Sequence, residues 1–174
     1  MCNVLPNSLQ ACQRFSRQLG HMVWLVVGSR VLVGGVFVLA GFSKLLLPQA
    51  EVAALMQQYT IIPPGLTWWI AAVLPWLELA SGTALVIGFY TTLAALAIGG
   101  QLVVFISLML VVLALGVPLE DCGCFGNLGL RETPLQVLIR DLVLVALLSP
   151  ILTRQRDVLS LDAWGEPPAA PPLR

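Results

Sequence analysis

The chain has 174 residues, of which 58% are hydrophobic and only 10% charged, and its formal net charge at pH 7 is zero. A soluble domain of average composition carries about 25% charged residues, so too few charges remain here to coat a water-facing surface. The nine Lys and Arg residues form no basic stripe, which excludes a nucleic-acid interface. The composition therefore predicts an integral membrane protein whose first partner is the lipid bilayer.

Four apolar segments approach or exceed the roughly 20 residues that a membrane-spanning helix needs. The predicted helices cover about 22–44, 66–88, 92–116 and 135–152. The sequence thus predicts an all-α membrane protein, a bundle of four transmembrane helices. This membrane domain covers 22–153, between an N-terminal tail at 1–21 and a proline-rich tail at 154–174.

The first apolar run follows two arginines, as a signal peptide would, but at 22–42 it is longer than the 7–15 apolar residues of a signal-peptide core. We therefore interpret it as an uncleaved first helix. After it, 52–56 predicts a short interfacial helix, and Pro75 is expected to kink the second span. The segment 88–92 predicts a tight turn, so that the second and third helices form an antiparallel hairpin.

Four spans place both termini on the same side of the membrane. That side carries Arg14, Arg17, Arg154 and Arg156, whereas the opposite side carries Lys44 and Arg131. The positive-inside rule then predicts that both termini are cytoplasmic. The loop 117–134 would lie on the extracytoplasmic face of a bacterial plasma (inner) membrane, where thiol oxidation is normal.

This loop contains a Cys-x-Cys pair, Cys122 and Cys124, separated by Gly123. The spacing guarantees that the two sulfurs are close enough for exchange, and glycine tolerates the unusual backbone angles of so small a ring. A strained and exposed disulfide is the reducible kind. We therefore predict that Cys122 and Cys124 are a redox-active pair and the catalytic residues of the chain.

Three plainer interpretations compete with a redox pair. A structural disulfide closing so small a loop would stabilise the fold little. A metal site is disfavoured because zinc takes four N or S ligands and the single histidine, His21, lies at the other membrane face, so no metal is predicted. Two inert thiols are the third alternative. Cys2 and Cys12 receive no role.

Charged residues inside the predicted spans are expensive and therefore informative. Arg30 and Glu78 are expected at similar depth on adjacent helices, which predicts an ion pair, and Arg140 with Asp141 forms a second balanced set. These four residues either lock the helices together or support the dithiol. In the second interpretation they line a polar pocket that binds a quinone headgroup or relays protons.

Several of these features together resemble the MauE/DoxX superfamily of four-helix, redox-associated membrane proteins. The resemblance is carried by Arg30, 40–45, 75–79 with Gly82 and Leu85, 121–126 and Arg140-Asp141. The Cys-Gly-Cys-Phe-Gly element is similar to that of the methylamine utilisation (MauE) branch. The resemblance covers about 22–152 and implies a DoxX-like bundle.

The resemblance also implies a function. MauE-like proteins are expected to support maturation of the disulfide-rich small subunit of methylamine dehydrogenase, in methylamine metabolism, with a thioredoxin-like partner or a disulfide-containing client. The chain would then be a thiol–disulfide oxidoreductase with Cys122 and Cys124 as its redox pair, and a quinone is the one cofactor considered. The alternatives are a non-enzymatic assembly factor, a DoxX-like subunit of a quinone-linked sulfur oxidoreductase, and a transporter subunit.

Overall fold

The computed structural model describes residues 6–58, 62–116 and 132–153, with side chains from Trp24 onward. Every regular element in these ranges is an α-helix. The helices are α1 (Pro6–Leu45), α2 (Gln49–Gln57), α3 (Pro64–Ile87), α4 (Thr91–Leu115) and α5 (Pro134–Thr153). Four of them, all except α2, are long and apolar enough to cross a membrane. The predicted class, an all-α bundle of four transmembrane helices, is therefore confirmed.

Helix α1 is longer than the span that the apolar run predicted. Its membrane-length apolar part is Trp24–Leu45, but the helix already begins at Pro6. Forty residues of α-helix measure about 60 Å, roughly twice the thickness of a hydrocarbon core. No proline interrupts the sequence between Pro6 and Pro48, which lies just beyond the end of the helix. The helix therefore continues into the segment that we predicted as a tail.

Helix α2 lies against the first turns of α3. Val52 and Ala53 on α2 are buried with Ala71 on α3 in a small apolar cluster. Because α2 follows directly after α1, the first turns of α3 that it covers lie beyond the end of α1. The middle of α3 is therefore level with the last turns of α1, and this offset decides which charged side chains can meet.

Helices α1 and α3 approach each other so closely that their backbones touch. A Cβ atom added to Gly34 would lie 2.7 Å from the carbonyl oxygen of Gly82, and one added to Gly82 would lie 2.8 Å from that of Gly34. Gly41, two turns further along α1, would meet the carbonyl oxygen of Pro75 at 2.7 Å. Small residues allow this kind of packing, which drives helix association in lipid.

Three residues, 88–90, join α3 to α4. Gly88 has a φ of 74°, and Tyr90 adopts a left-handed φ of 46°. So short a connection requires antiparallel neighbours, as the sequence predicted. The turn fixes one end of the bundle, here called the turn end, and the opposite end, where α4 stops and α5 begins, is called the loop end.

The interior of the bundle is mostly apolar and is shared by the four long helices. Val33, Leu85 and Ile98 are fully buried at its centre, on α1, α3 and α4. Large apolar side chains also cover the outside, such as Trp69 and Leu93, which are more than half exposed. Such a surface is suited to lipid rather than to water.

Candidate functional site

A buried ion pair joins α1 to α3. The Lys44 Nζ atom lies 2.8 Å from both carboxylate oxygens of Glu78. The two side chains are only 4% and 2% exposed. Lys44 is in the last turn of α1, where a positive charge also complements the negative end of the helix dipole. Two charges this deeply buried are tolerated because each satisfies the other.

A second ionic group lies at the start of α5. Arg140 donates from Nε and Nη2 to the same Asp141 oxygen, Oδ1, at 3.1 and 3.0 Å. Its Nη1 atom also pairs with Glu132, two residues before α5 begins. Arg140 and Glu132 are partly exposed, whereas Asp141 is buried. The three residues therefore connect the loop end of the bundle to its interior.

The predicted ion pair between Arg30 and Glu78 is wrong. Arg30 donates from Nε to the carbonyl oxygen of Leu85 at 3.2 Å and from Nη2 to that of Val86 at 3.4 Å. These carbonyls belong to the last turn of α3, where helix geometry leaves the backbone acceptors without partners in their own helix. Arg30 therefore caps the end of α3 and lies near the turn end. Glu78 lies about two helical turns before Leu85 on α3. It is level with Lys44 because α2 and α3 extend beyond α1.

A cavity of about 610 Å³ lies between the five helices. Its wall is mostly apolar, and five polar side chains interrupt it, here called the polar cluster: Lys44, Glu78, Gln101, Arg140 and Asp141. A mostly apolar cavity of this size with a few convergent polar groups is typical of a small-molecule site.

Two acceptor atoms of the polar cluster have no hydrogen-bond partner among the described residues. They are Oε1 of Gln101 and Oδ2 of Asp141. Gln101 donates its own amide to Ser81 Oγ at 3.2 Å and to the carbonyl of Ala97 at 3.3 Å, so its oxygen is held away from those partners. A buried acceptor without a donor is costly and rare. Both atoms are therefore suited to accept hydrogen bonds from a bound molecule.

The cysteine pair predicted to be catalytic lies outside the described residues, in 117–131. The residues that flank this segment, Gly116 after α4 and Glu132 before α5, belong to the loop end of the bundle. Glu132 is the residue that pairs with Arg140. Within the described part of the chain, no group of three His, Cys, Asp or Glu side chains is placed to hold a metal ion.

Of the four charged residues that the sequence singled out, Glu78, Arg140 and Asp141 belong to the cavity wall and Arg30 does not. Sequence reasoning missed two members of the polar cluster. Lys44 was interpreted as a flanking charge outside the membrane. Gln101 was overlooked, although an amide within a long apolar segment is itself a signal for a functional site.

Fold and site together define a class: a multi-pass helical membrane protein with a buried ionic cluster in the wall of an apolar cavity. The family model described as "Methylamine utilisation protein MauE" matches residues 22–154, and the chain belongs to this family. It is 33% identical over 125 residues to the "Methylamine utilization protein MauE" of Paracoccus denitrificans. That match covers 71% of this chain and 66% of the relative, just under two thirds of its length. No solved structure matches the chain significantly.

Proposed function

We propose that this chain is a membrane component of methylamine utilisation and that it transfers thiol–disulfide redox equivalents through Cys122 and Cys124. Membership of the MauE family supports the first part. The observation that carries the second is the connection at the loop end: the segment with both cysteines ends at Glu132, which is tied through Arg140 to the cavity wall. A dithiol segment whose following residue, Glu132, pairs with the cavity wall is suited to pass electrons to a bound acceptor.

The proposed reaction forms a disulfide in an extracytoplasmic client. One client thiolate attacks the Cys122–Cys124 disulfide, which produces a mixed disulfide and releases one cysteine thiolate. The second client thiolate then attacks the mixed disulfide. The client becomes oxidised, and the Cys122–Cys124 pair receives two electrons and two protons. An acceptor must afterwards remove these to restore the disulfide.

The client that we propose is the disulfide-rich small subunit of methylamine dehydrogenase, reached directly or through a thioredoxin-like protein. In this arrangement both termini are cytoplasmic and the cysteine segment is extracytoplasmic, in the plasma membrane of a bacterium. The charge asymmetry of the flanking segments supports this orientation. The polar cluster would hold the end of the segment and the electron acceptor in place.

Trapping of mixed disulfides tests the reaction. The variants Cys122→Ser and Cys124→Ser are each expressed in the native host growing on methylamine, and membranes are alkylated and separated without reductant. We expect one of the single variants to accumulate a mixed disulfide with the oxidised client or an oxidised thioredoxin-like protein. Its remaining thiolate attacks the disulfide of that partner and releases a partner thiolate, and the serine cannot then attack the mixed disulfide to resolve it.

The matched control is the chain with Cys2→Ser and Cys12→Ser, which we expect to support growth on methylamine like the wild type. The double variant Cys122→Ser/Cys124→Ser should form no mixed disulfide and should fail to mature the client. Normal maturation in that double variant would contradict the redox function and leave a non-enzymatic assembly role.

A further inference from the structure

We infer that the cavity between the five helices is a binding site for a membrane quinol, an amphiphile with an apolar body and hydroxyl donors on its ring. The cavity and its two unsatisfied acceptors carry this inference. The role of the ligand as electron acceptor rests on the proposed function, whereas the binding itself does not.

Most of the cavity wall is apolar, so we expect the body of the ligand to be apolar. Its lining includes Phe37, Leu55, Met56, Leu74, Phe105 and Leu108. These side chains come from four of the helices, so apolar surface contacts the ligand from several sides. At about 610 Å³, the cavity lies within the range of roughly 300–1,000 Å³ over which proteins enclose small molecules.

Gln101 and Asp141 indicate that the ligand carries hydrogen-bond donors. Both residues are more than nine-tenths buried, and each contributes one acceptor atom without a partner among the described residues. Neither atom is easily satisfied by rotation. The Gln101 amide nitrogen is held by Ser81, and the other carboxylate oxygen of Asp141 is held by Arg140. The head of the ligand must therefore donate hydrogen bonds.

Three simpler ligands each satisfy only part of these requirements. An acyl chain fills the apolar volume but has no donor. A phosphate headgroup would place oxygen acceptors against the acceptors of Gln101 and Asp141, and a small alkylammonium ion would leave the apolar volume empty. A quinol combines an apolar ring and tail with hydroxyl groups, whereas its oxidised form presents carbonyl oxygens, which only accept.

A site that binds quinol more tightly than quinone favours reduction of the quinone bound there, because preferential binding shifts the equilibrium toward the bound form. Together with the proposed function, reduction of quinone in the cavity completes the redox cycle of the cysteine pair. The Cys122–Cys124 dithiol is oxidised to the disulfide while one quinone takes up its two electrons and two protons to become quinol. No further reductant or oxidant is needed.

Binding of decylubiquinol and decylubiquinone to the purified full-length chain in lipid nanodiscs tests the site. We expect saturable binding of one molecule per chain, with decylubiquinol favoured over decylubiquinone by about tenfold, the effect of one hydrogen bond to a charged group. The variant Gln101→Met, which keeps the volume but removes the acceptor, should weaken decylubiquinol binding severalfold.

The variant Asp141→Asn gives the sharpest test. Its amide oxygen still accepts from Arg140, so its NH₂ group takes the place of the Oδ2 atom and presents a donor where the wild type presents an acceptor. We expect this variant to reverse the preference, so that decylubiquinone binds more tightly than decylubiquinol. The matched control is Ser107→Ala, an exposed residue on the same helix as Gln101, which should bind both forms like the wild type.

The chain with Cys122→Ser and Cys124→Ser should still bind decylubiquinol, which separates a failure of the thiol chemistry from a failure of the site. The preference between the two forms in the wild type needs no variant, so the inference remains testable if a substitution prevents folding. Absence of saturable binding, equal affinity for both forms, or a cavity that takes up only phospholipid chains would overturn it.

Discussion

The two ends of the bundle each hold a buried cation from α1, and they satisfy it differently. Near the turn end, Arg30 donates to the last carbonyls of α3, in a region where glycine contacts bring the two backbones together. Toward the loop end, Lys44 meets the carboxylate of Glu78 in the wall of a cavity. Arg30 is part of a close contact between two helices, whereas Lys44 is part of the wall of a cavity.

This difference distinguishes a region that stabilises the fold, near the turn end, from a region that is able to bind a ligand, at the polar cluster. Helix-end carbonyls are fixed acceptors that cannot titrate, and Val33 and Leu85 close the interior near Arg30. The polar cluster instead combines charged side chains, a cavity large enough for a ligand, and two acceptor atoms that have no partner in the described part of the chain. We therefore expect substitutions near the turn end to change stability and function in parallel. Substitutions in the polar cluster should change function without an equal change in stability. Four variants test this distinction, and the one with the greatest expected loss of stability comes first.

The single variant Glu78→Leu should be the most damaging, because it leaves the Lys44 ammonium buried without its carboxylate. We expect a loss of about 3–5 kcal/mol of stability, measured by unfolding of the purified chain in detergent. Adding Lys44→Met should restore most of that stability but not thiol oxidation by quinone. Restored activity in the stable double variant would show that the ion pair only holds helices together.

Replacing Arg30 by Met should cost about 1.5–3 kcal/mol, because the carbonyls of Leu85 and Val86 lose a charged donor. The same unfolding measurement applies, with activity assayed per folded molecule. We expect the folded fraction to keep its quinol binding, since Arg30 is not part of the cavity wall. Full stability combined with lost binding would reverse the roles assigned to the two ends.

The variant Gly34→Ala should destabilise the chain by roughly 1–3 kcal/mol, the usual cost of overpacking. Its added methyl group would meet the backbone of Gly82, which cannot move without separating the helices. Gly35→Ala is the matched control, because a Cβ atom there has no neighbour within 4 Å. Equal unfolding temperatures for the two variants would rule out the close α1–α3 contact.

The smallest effect is expected for Glu132→Gln. This residue and Arg140 are both 23% exposed, and such pairs contribute up to about 1 kcal/mol. Stability should therefore change little. The rate of thiol oxidation by decylubiquinone should fall, because the end of the cysteine segment loses its ionic tie to the polar cluster. An unchanged rate would show that this tie has no role in the reaction.

The fold class was predictable because lipid leaves few options for an apolar chain of this composition. Long apolar segments separated by Pro and Gly indicate spanning helices, and the short 88–90 connection indicates antiparallel neighbours. The composition of a segment does not, however, state where its ends lie relative to another helix. Counting depth from the predicted ends placed Arg30 beside Glu78. The packing of α2 on α3 shifts that register and brings Lys44 there instead.

The candidate site was only partly predictable for a related reason. Glu78, Arg140 and Asp141 stand out as charges within apolar segments. The cavity arises from the packing of five helices, and no pattern in a single helix encodes it. The unsatisfied oxygen of Gln101 depends on how its amide meets Ser81, a contact between residues twenty positions apart. Such contacts follow from the assembled bundle rather than from any local motif.

The central claim is that the loop end performs redox chemistry with Cys122 and Cys124. The most direct test is the alkylation state of these two thiols in the Cys2→Ser/Cys12→Ser chain, reduced in nanodiscs and then mixed with decylubiquinone. We expect two thiols per chain to become inaccessible to alkylation while one decylubiquinol forms, and we expect both changes to be slower in Asp141→Asn. Thiols that remain fully alkylated, with no quinol formed, would contradict the central claim.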